Sequence, residues 1–306
     1  LVHSVARLDY EGVHASLAEG TVHPSIELLP EVGRLRQKSS LRRRAINLRV
    51  PSVRVVGDGE NYELVIEPRH PIMDYNSEIS LLTGMVAGRM MVDAGVGFLR
   101  TLGPASAEGE AEFRREARNL GFDVTGDIGE FLAGIDADTP RGMAVMREAQ
   151  KLLRGAGYVD LSEDAPEVHA GIGGHYAHVT APLRRLVDRF ATEVCLAICA
   201  DEPVPEWVER DAARMLKTMG RSSQLANTVE KACLHLTEAT VLEPWVGHNF
   251  DGVVLKRGED AARVFIVDPP VLAPSAGAPE EGAETKFSLV RADPDAREVG
   301  FAWPAD

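Results

Sequence analysis

Cysteine is scarce in this chain, with three in 306 residues. Cys195, Cys199 and Cys233 form no Cys-x-x-Cys pair, and the first two lie one helical turn apart in an apolar run. That excludes a disulfide framework and a zinc ribbon, and fits small buried hydrophobes of a reducing compartment. A membrane-spanning run is also lacking. The longest apolar stretch, Ile79 to Met91, is interrupted by Arg89 and is too short to cross a bilayer. No secretory signal is visible, so the expected location is cytoplasmic. Basic residues are in the minority, 33 against 47 acidic, for a net charge of −14. Taken alone, that balance argues against a nucleic-acid binder.

The distribution of charge says more than its sum. From Arg34 to Arg54 there are eight basic residues and no acidic one, which leaves the rest of the chain at −22. A basic stripe on an acidic protein suits a focused anion channel. The other reading, a solvated helix face, stays open on charge alone. An apolar fraction of 44% can build a sizeable core, and 306 residues allow one large domain or two smaller ones. The chain opens at Leu1 in mid-pattern, with no cap or turn before Val2, and reads as a fragment or a downstream cleavage product.

Periodicity predicts helices over 8–19 and 26–44, then strands over 46–56 and 62–67 around the turn Gly57-Asp58-Gly59. In the first strand Ile46, Leu48 and Val50 alternate, and Pro51 points to an edge. A long apolar helix is predicted over 75–92, with Asp74 as N-cap and with Gly84 and Gly88 spaced to admit another helix. Further helices are predicted over 108–119, from Thr139-Pro140 to Gly155, and over 181–200, 205–218 and 221–240. Past Glu243-Pro244 the composition shifts. Short strands are predicted at 250–255, 264–267, 287–291 and 298–302, with a flexible loop at 273–282.

The densest chemistry lies in the run from His175 to Arg189, His-Tyr-Ala-His-Val-Thr-Ala-Pro-Leu-Arg-Arg-Leu-Val-Asp-Arg. Pro182 fits a first helical turn, where no backbone donor is needed. Thr180, Arg184 and Arg185 then sit at a helix start, whose free N–H groups and dipole favour a phosphate. A plain alternative is an Arg184–Asp188 pair at i, i+4 on an exposed helix face. Two other constellations carry less. Asp136 and Asp138 resemble paired metal carboxylates, but stand where acidic residues favour a helix start. His175 and His178 lack the partners of a zinc site.

The run resembles the signature of the ribonuclease II (RNB) exoribonucleases, roughly Tyr-x-His-Phe-Thr-Ser-Pro-Ile-Arg-Arg-Tyr-x-Asp. Tyr176, His178, Thr180, Pro182, Arg184, Arg185 and Asp188 match it; Val179, Ala181 and Leu186 depart. The segment Ser4–Val13 is similar to a family stretch Ser-x-x-Arg-Leu-x-Tyr-x-x-Val. Glu78 with Leu81-Leu82-Thr83-Gly84 is similar to a family helix bearing a glutamate and Leu-Leu-Ala-Asn. Val229-Glu230-Lys231 is similar to a family Ala-Glu-Arg, and the final strands to the S1-type OB barrel.

The resemblance implies a mixed α/β remainder of the RNB catalytic domain over 1–243 and an all-β S1-like OB barrel over 244–306. It implies a 3′-to-5′ exoribonuclease that hydrolyses single-stranded RNA to nucleoside monophosphates. Arg184 is then the catalytic arginine, and Arg185, Tyr176, His178, Thr180, Glu78 and Glu230 are candidate RNA-binding residues. Mg²⁺ is the expected cofactor. Its aspartate ligands are expected upstream of Leu1, in an N-terminal part of the same protein, and no metal ligand is assigned in this chain. The family's stacking aromatic is replaced by Leu48. That departure, the missing aspartates and the net acidity leave a second reading: an inactive RNB-like module that binds RNA or a protein. Phe250, Phe265, Phe287 and Phe301 are expected in the barrel core, and no membrane partner is expected.

Overall fold

A computed structural model describes residues 3–50, 53–57, 62–67, 69–259 and 261–305. Helices α1 (Tyr10–Glu19) and α2 (Leu29–Arg42) precede the antiparallel pair β1 (Val53–Gly57) and β2 (Tyr62–Ile66). Helix α3 (Pro71–Ala94) and strand β3 (Phe98–Thr101) come next, then α4 (Ala107–Asn119), α5 (Ile128–Gly134) and α6 (Pro140–Ala149). Strand β4 (Gly157–Asp160), α7 (Leu186–Ala200) and α8 (Glu206–Leu242) lead into β5 (Asn249–Arg257), β6 (Ala262–Ile266), β7 (Val271–Ala276), β8 (Glu284–Asp293) and β9 (Glu298–Ala302). The chain divides into two compact units. One comprises Leu1–Ile46, Pro68–Pro104 and Gly155–Met219; the other comprises Asn47–Glu67, Ala105–Arg154 and Gly220–Asp306. Helix α8 contributes to both.

In the first unit β3 and β4 pair antiparallel, placing Arg100 opposite Tyr158. Helix α7 buries Val187, Phe190, Ala191 and Val194 in a core with Met91 of α3, Phe98 of β3 and Val208, Ala212 and Met215 of α8. Helix α3 starts one turn earlier than predicted, with Pro71 at its first positions and His70 before it. Asp74 therefore lies inside the first turn and pairs with Arg69 rather than capping. Gly84 and Gly88 do admit a close neighbour, but it is an extended segment and not a helix. A Cβ on Gly84 would stand 2.2 Å from the Tyr176 ring and 2.6 Å from the Ala177 carbonyl oxygen.

Residues 46–50 form no strand. The Ile46 amide instead bonds the Gly171 carbonyl at 3.0 Å, and Arg49 is drawn to the carbonyls of Leu132, Ala133 and Ile135 at the end of α5. The last carbonyls of a helix find no amide further along it, although the Ile135 amide just beyond α5 also reaches Leu132, at 3.3 Å. Their pull on Arg49 overrides a three-residue apolar alternation. Pro51, Asp58, Gly59 and Pro68 lie outside the described residues. The two helices predicted over 205–240 are one, of 37 residues. Gly220 costs only about 1 kcal/mol relative to alanine, too little to break a helix of that length.

In the second unit β5–β9 close into a barrel in the order β5-β6-β7-β9-β8. Val254, Val264, Ile266, Phe287, Leu289 and Phe301 fill it, and Leu242 at the end of α8 packs in from outside the strands. The segment read as a flexible loop at 273–282 contains most of β7, which pairs with β6 and runs parallel to β9. Helix α8 ends at Leu242, ahead of the barrel strands. Charged pairs tie the barrel to α4 and α6: Lys256 to Glu112 at 3.0 Å, Arg141 to Glu284 at 2.6 Å, and Arg263 to the buried Glu148, which also holds Lys151.

Glu238 near the end of α8 is buried, and burial pushes its carboxyl up to about 7 despite Arg147 nearby. The folded state therefore prefers the protonated form. That contribution to stability is complete below the ordinary carboxylate range and is lost as pH rises through about 7. Glu238→Gln mimics the protonated group. Thermal melts are expected to show the variant above the parent at pH 8 and level with it at pH 5; a variant that melts lower at pH 8 would mean that the attraction of Arg147 outweighs burial.

Among the described residues no helix is long and apolar enough to cross a membrane.

Candidate functional site

The run from Tyr176 to Arg189 is laid across α3 in the first unit. Because Gly84 has no side chain, the Ala177 amide can donate to the Gly84 carbonyl at 3.0 Å. On the other side the Arg100 amide of β3 donates to the Tyr176 carbonyl at 2.7 Å. The segment is thus clamped between a helix and a strand by its own backbone. Tyr176 is 8% exposed, so its ring is a packing element and does not offer a stacking face.

His178 sits between Tyr176 and Tyr158, with ring centroids 5.5 Å and 5.6 Å away. Its Nδ1 shares a 2.8 Å hydrogen bond with the Tyr158 hydroxyl. Arg100 lies over the Tyr158 ring at 4.7 Å. Burial, with Arg185 and Arg100 adding repulsion, pushes the His178 imidazolium down to about 3. The ring is therefore neutral at physiological pH and supplies hydrogen bonding, not positive charge. Burial likewise raises the Tyr158 phenol and lowers His169. Tyr158 and Arg100 had no signal in the sequence: each stands on a four-residue strand, too short for a readable alternation.

The helix starts later than its proline suggests. Helix α7 begins at Leu186, and residues 181–185 form a tight turn in which the Arg184 and Arg185 amides both approach the Ala181 carbonyl, at 3.2 and 3.0 Å. Pro182 is in that turn, not in the helix. Asp188, fully buried, shapes it. Its Oδ1 accepts from the Ala181 amide at 2.6 Å and from Arg185 Nη2 at 2.8 Å, and its Oδ2 accepts from Arg185 Nε at 2.8 Å. The ion pair is thus Arg185–Asp188 at i, i+3, not Arg184–Asp188. Arg185 is folded back onto that carboxylate. Arg184 is exposed, and among the described residues no hydrogen bond or ion pair engages its guanidinium. Thr180 is exposed beside it, with its hydroxyl 3.2 Å from that of Ser80 on α3.

Glu78 is 3% exposed and lies beneath the surface, 3.8 Å from Arg36 of α2. Burial raises its carboxyl against the pull of Arg36 and Arg43. It faces these two arginines and does not reach solvent. Glu230 is exposed on the second unit's part of α8. Tyr176, His178, Thr180, Arg184 and Arg185 are therefore brought together, with Ser80, Arg100, Tyr158 and Asp188 added. Among the described residues no three histidine, cysteine or carboxylate side chains gather as a metal site.

Comparison with known proteins gives two family matches along the chain. A family model described as the RNB domain matches residues 1–198, and one described as the RNase II-type exonuclease C-terminal S1 domain matches residues 248–303. The fold is similar to that of Mycoplasma genitalium RNase R, solved in complex with ribose-methylated single-stranded RNA, at TM-score 0.78 and 14% identity over 92% of this chain and 50% of that one. It is similar to an active-site mutant of the Dss1 exoribonuclease from Candida glabrata, at TM-score 0.72 and 13% identity over 97% of this chain and 38% of that one. It is also similar to yeast Ssd1, described as a pseudonuclease, at TM-score 0.63 and 18% identity over 92% of this chain and 36% of that one. The chain spans about half the length of the RNase R chains. No curated protein matches it.

Proposed function

Since the chain belongs to the RNB family, we propose that it acts in a 3′-to-5′ exoribonuclease that releases nucleoside monophosphates from single-stranded RNA. The observation that carries this reading is the contrast between the two signature arginines. Arg185 is fixed on Asp188, and Arg184 stands free at the surface on a turn that the same carboxylate holds rigid. A positioned cation without an internal partner suits the negative charge that develops on a phosphoryl group in the transition state. Thr180 and the neutral His178 line the approach. Glu78 serves the RNA indirectly, by its ion pair with Arg36, and Glu230 is a candidate contact from α8.

Magnesium is the ion expected of the family and would supply an activated water and charge neutralisation. The described residues do not fit it, since they gather no ligand cluster. This chain's own part is electrostatic and positional. The proposed boundary keeps residues 1–243 with the catalytic domain and 244–306 with the S1-like barrel, in a cytoplasmic protein.

The second reading, an RNA-binding module without catalysis, is favoured by the likeness to a protein described as a pseudonuclease. One experiment separates them. The full-length protein is incubated in Mg²⁺ with single-stranded RNA labelled at its 5′ end, or blocked at its 3′ end. Stepwise shortening with nucleoside monophosphates as product, and none from the blocked RNA, is expected of the exoribonuclease. RNA that is bound and recovered intact supports the module.

A further inference from the structure

The eight basic residues of the acid-free stretch do not act together. Arg36 and Arg43 turn inward: Arg36 lies beside the buried Glu78, and Arg43 bonds the Ile172 carbonyl and Ser39. Arg49 holds the end of α5, and Arg54 pairs with Glu67. That leaves Arg34, Lys38 and Arg42 on α2, with Arg44 just past its end. All four are exposed, and among the described residues none takes part in an ion pair. Their lack of partners is notable in a chain with 14 more acidic than basic side chains. Arg34, Lys38 and Arg42 stand at i, i+4 and i+8. They form one row, with steps of about 6 Å along the axis. The opposite face of α2 is closed: a Cβ on Gly33 would lie 2.3 Å from the Tyr75 ring of α3, and Ser40 is buried.

We propose that the outward row of α2, Arg34, Lys38 and Arg42, is a docking rail for the sugar–phosphate backbone of single-stranded RNA. This inference rests on the exoribonuclease reading and adds to it a second surface apart from the signature turn. The row is linear, its cations repeat at a spacing close to that of successive phosphates on an extended strand, and it carries no aromatic and no acidic residue. Those features suit the repeating charge of a backbone and not the reading of bases. Arg36 beside Glu78, and Arg43 bonded to the Ile172 carbonyl, keep α2 seated while its outer face stays positive.

The test is binding of a fluorescent twenty-nucleotide RNA by the full-length protein, in EDTA, across a salt series. The variant Arg34→Gln/Lys38→Gln/Arg42→Gln is compared with Arg210→Gln/Arg214→Gln/Lys217→Gln, which changes net charge equally on exposed parts of α8. The α2 variant is expected to bind about tenfold or more weakly at about 0.1 M salt, with the slope of log affinity against log salt falling by about 2. The α8 variant should keep the parental slope. Equal behaviour of the two variants, or an α2 variant that binds like the parent, overturns the rail. If the parent then still degrades RNA, the exoribonuclease reading survives alone; if the parent binds no RNA, both fall. Loss of binding to phosphatidylserine vesicles by the α2 variant, with RNA binding intact, would assign the row to a membrane surface and also overturn it.

Discussion

Replacing Arg184 by alanine in the full-length protein is expected to lower RNA turnover by about 10²- to 10³-fold, the usual loss for one preorganised transition-state donor. RNA affinity should change little. Nothing in the fold depends on the side chain: it is exposed and has no partner among the described residues, so the variant should melt with the parent. Single-turnover cleavage rates and equilibrium binding, measured on the same RNA, give the two numbers. Arg184→Lys keeps the charge but loses the planar fork and should recover only part of the rate. Equal losses in rate and affinity would make Arg184 a ground-state phosphate contact. An unchanged rate would remove it from the chemistry and leave the signature turn a structural motif.

The order of residues in the signature was legible in the sequence, but its local geometry was not. Pro182 suggested a helix start because proline suits a first turn. Asp188, seven residues after Ala181, takes the Ala181 amide instead, and the backbone is drawn into a turn that delays the helix to Leu186. A side chain inside the helix thus sets the conformation of the chain before it, and no local propensity records that. The same turn decides which arginine is free. From spacing alone Arg184 was the natural partner of Asp188; in the structure Arg185 holds it with both oxygens.

Barrel and helices were easier to read where the period was long. Strands β5, β6, β8 and β9 and the burial of Phe265, Phe287 and Phe301 follow from alternation. Strand β7 escaped because Pro274, Ser275, Gly277 and Pro279 are loop-like in composition. It is held by its ladder to β6, which no window on β7 alone can contain. Tyr158 and Arg100 were missed for a related reason. Their meeting depends on the β3–β4 register, set by residues more than fifty positions apart.

Asp188→Ala is expected to destabilise the protein by about 3–5 kcal/mol, the range for breaking a buried pair and leaving one charge behind. Arg185 is the charge left behind, and the Ala181 amide loses its acceptor as well. Denaturant or thermal unfolding measures the loss. Arg185→Met/Asp188→Leu removes both charges and should recover much of that stability, since a well-packed apolar pair can replace a buried ion pair. It cannot recover the Ala181 hydrogen bond. The double variant should therefore fold and still turn over RNA slowly, because the turn that carries Arg184 has lost the bond that fixes it. Asp188→Asn keeps an acceptor for Ala181 while weakening the grip on Arg185, and should fall between the two in rate. Parental turnover in the stable double variant would show that the turn is held by its own backbone. Asp188 would then be a residue of the core alone, and not the one that positions Arg184.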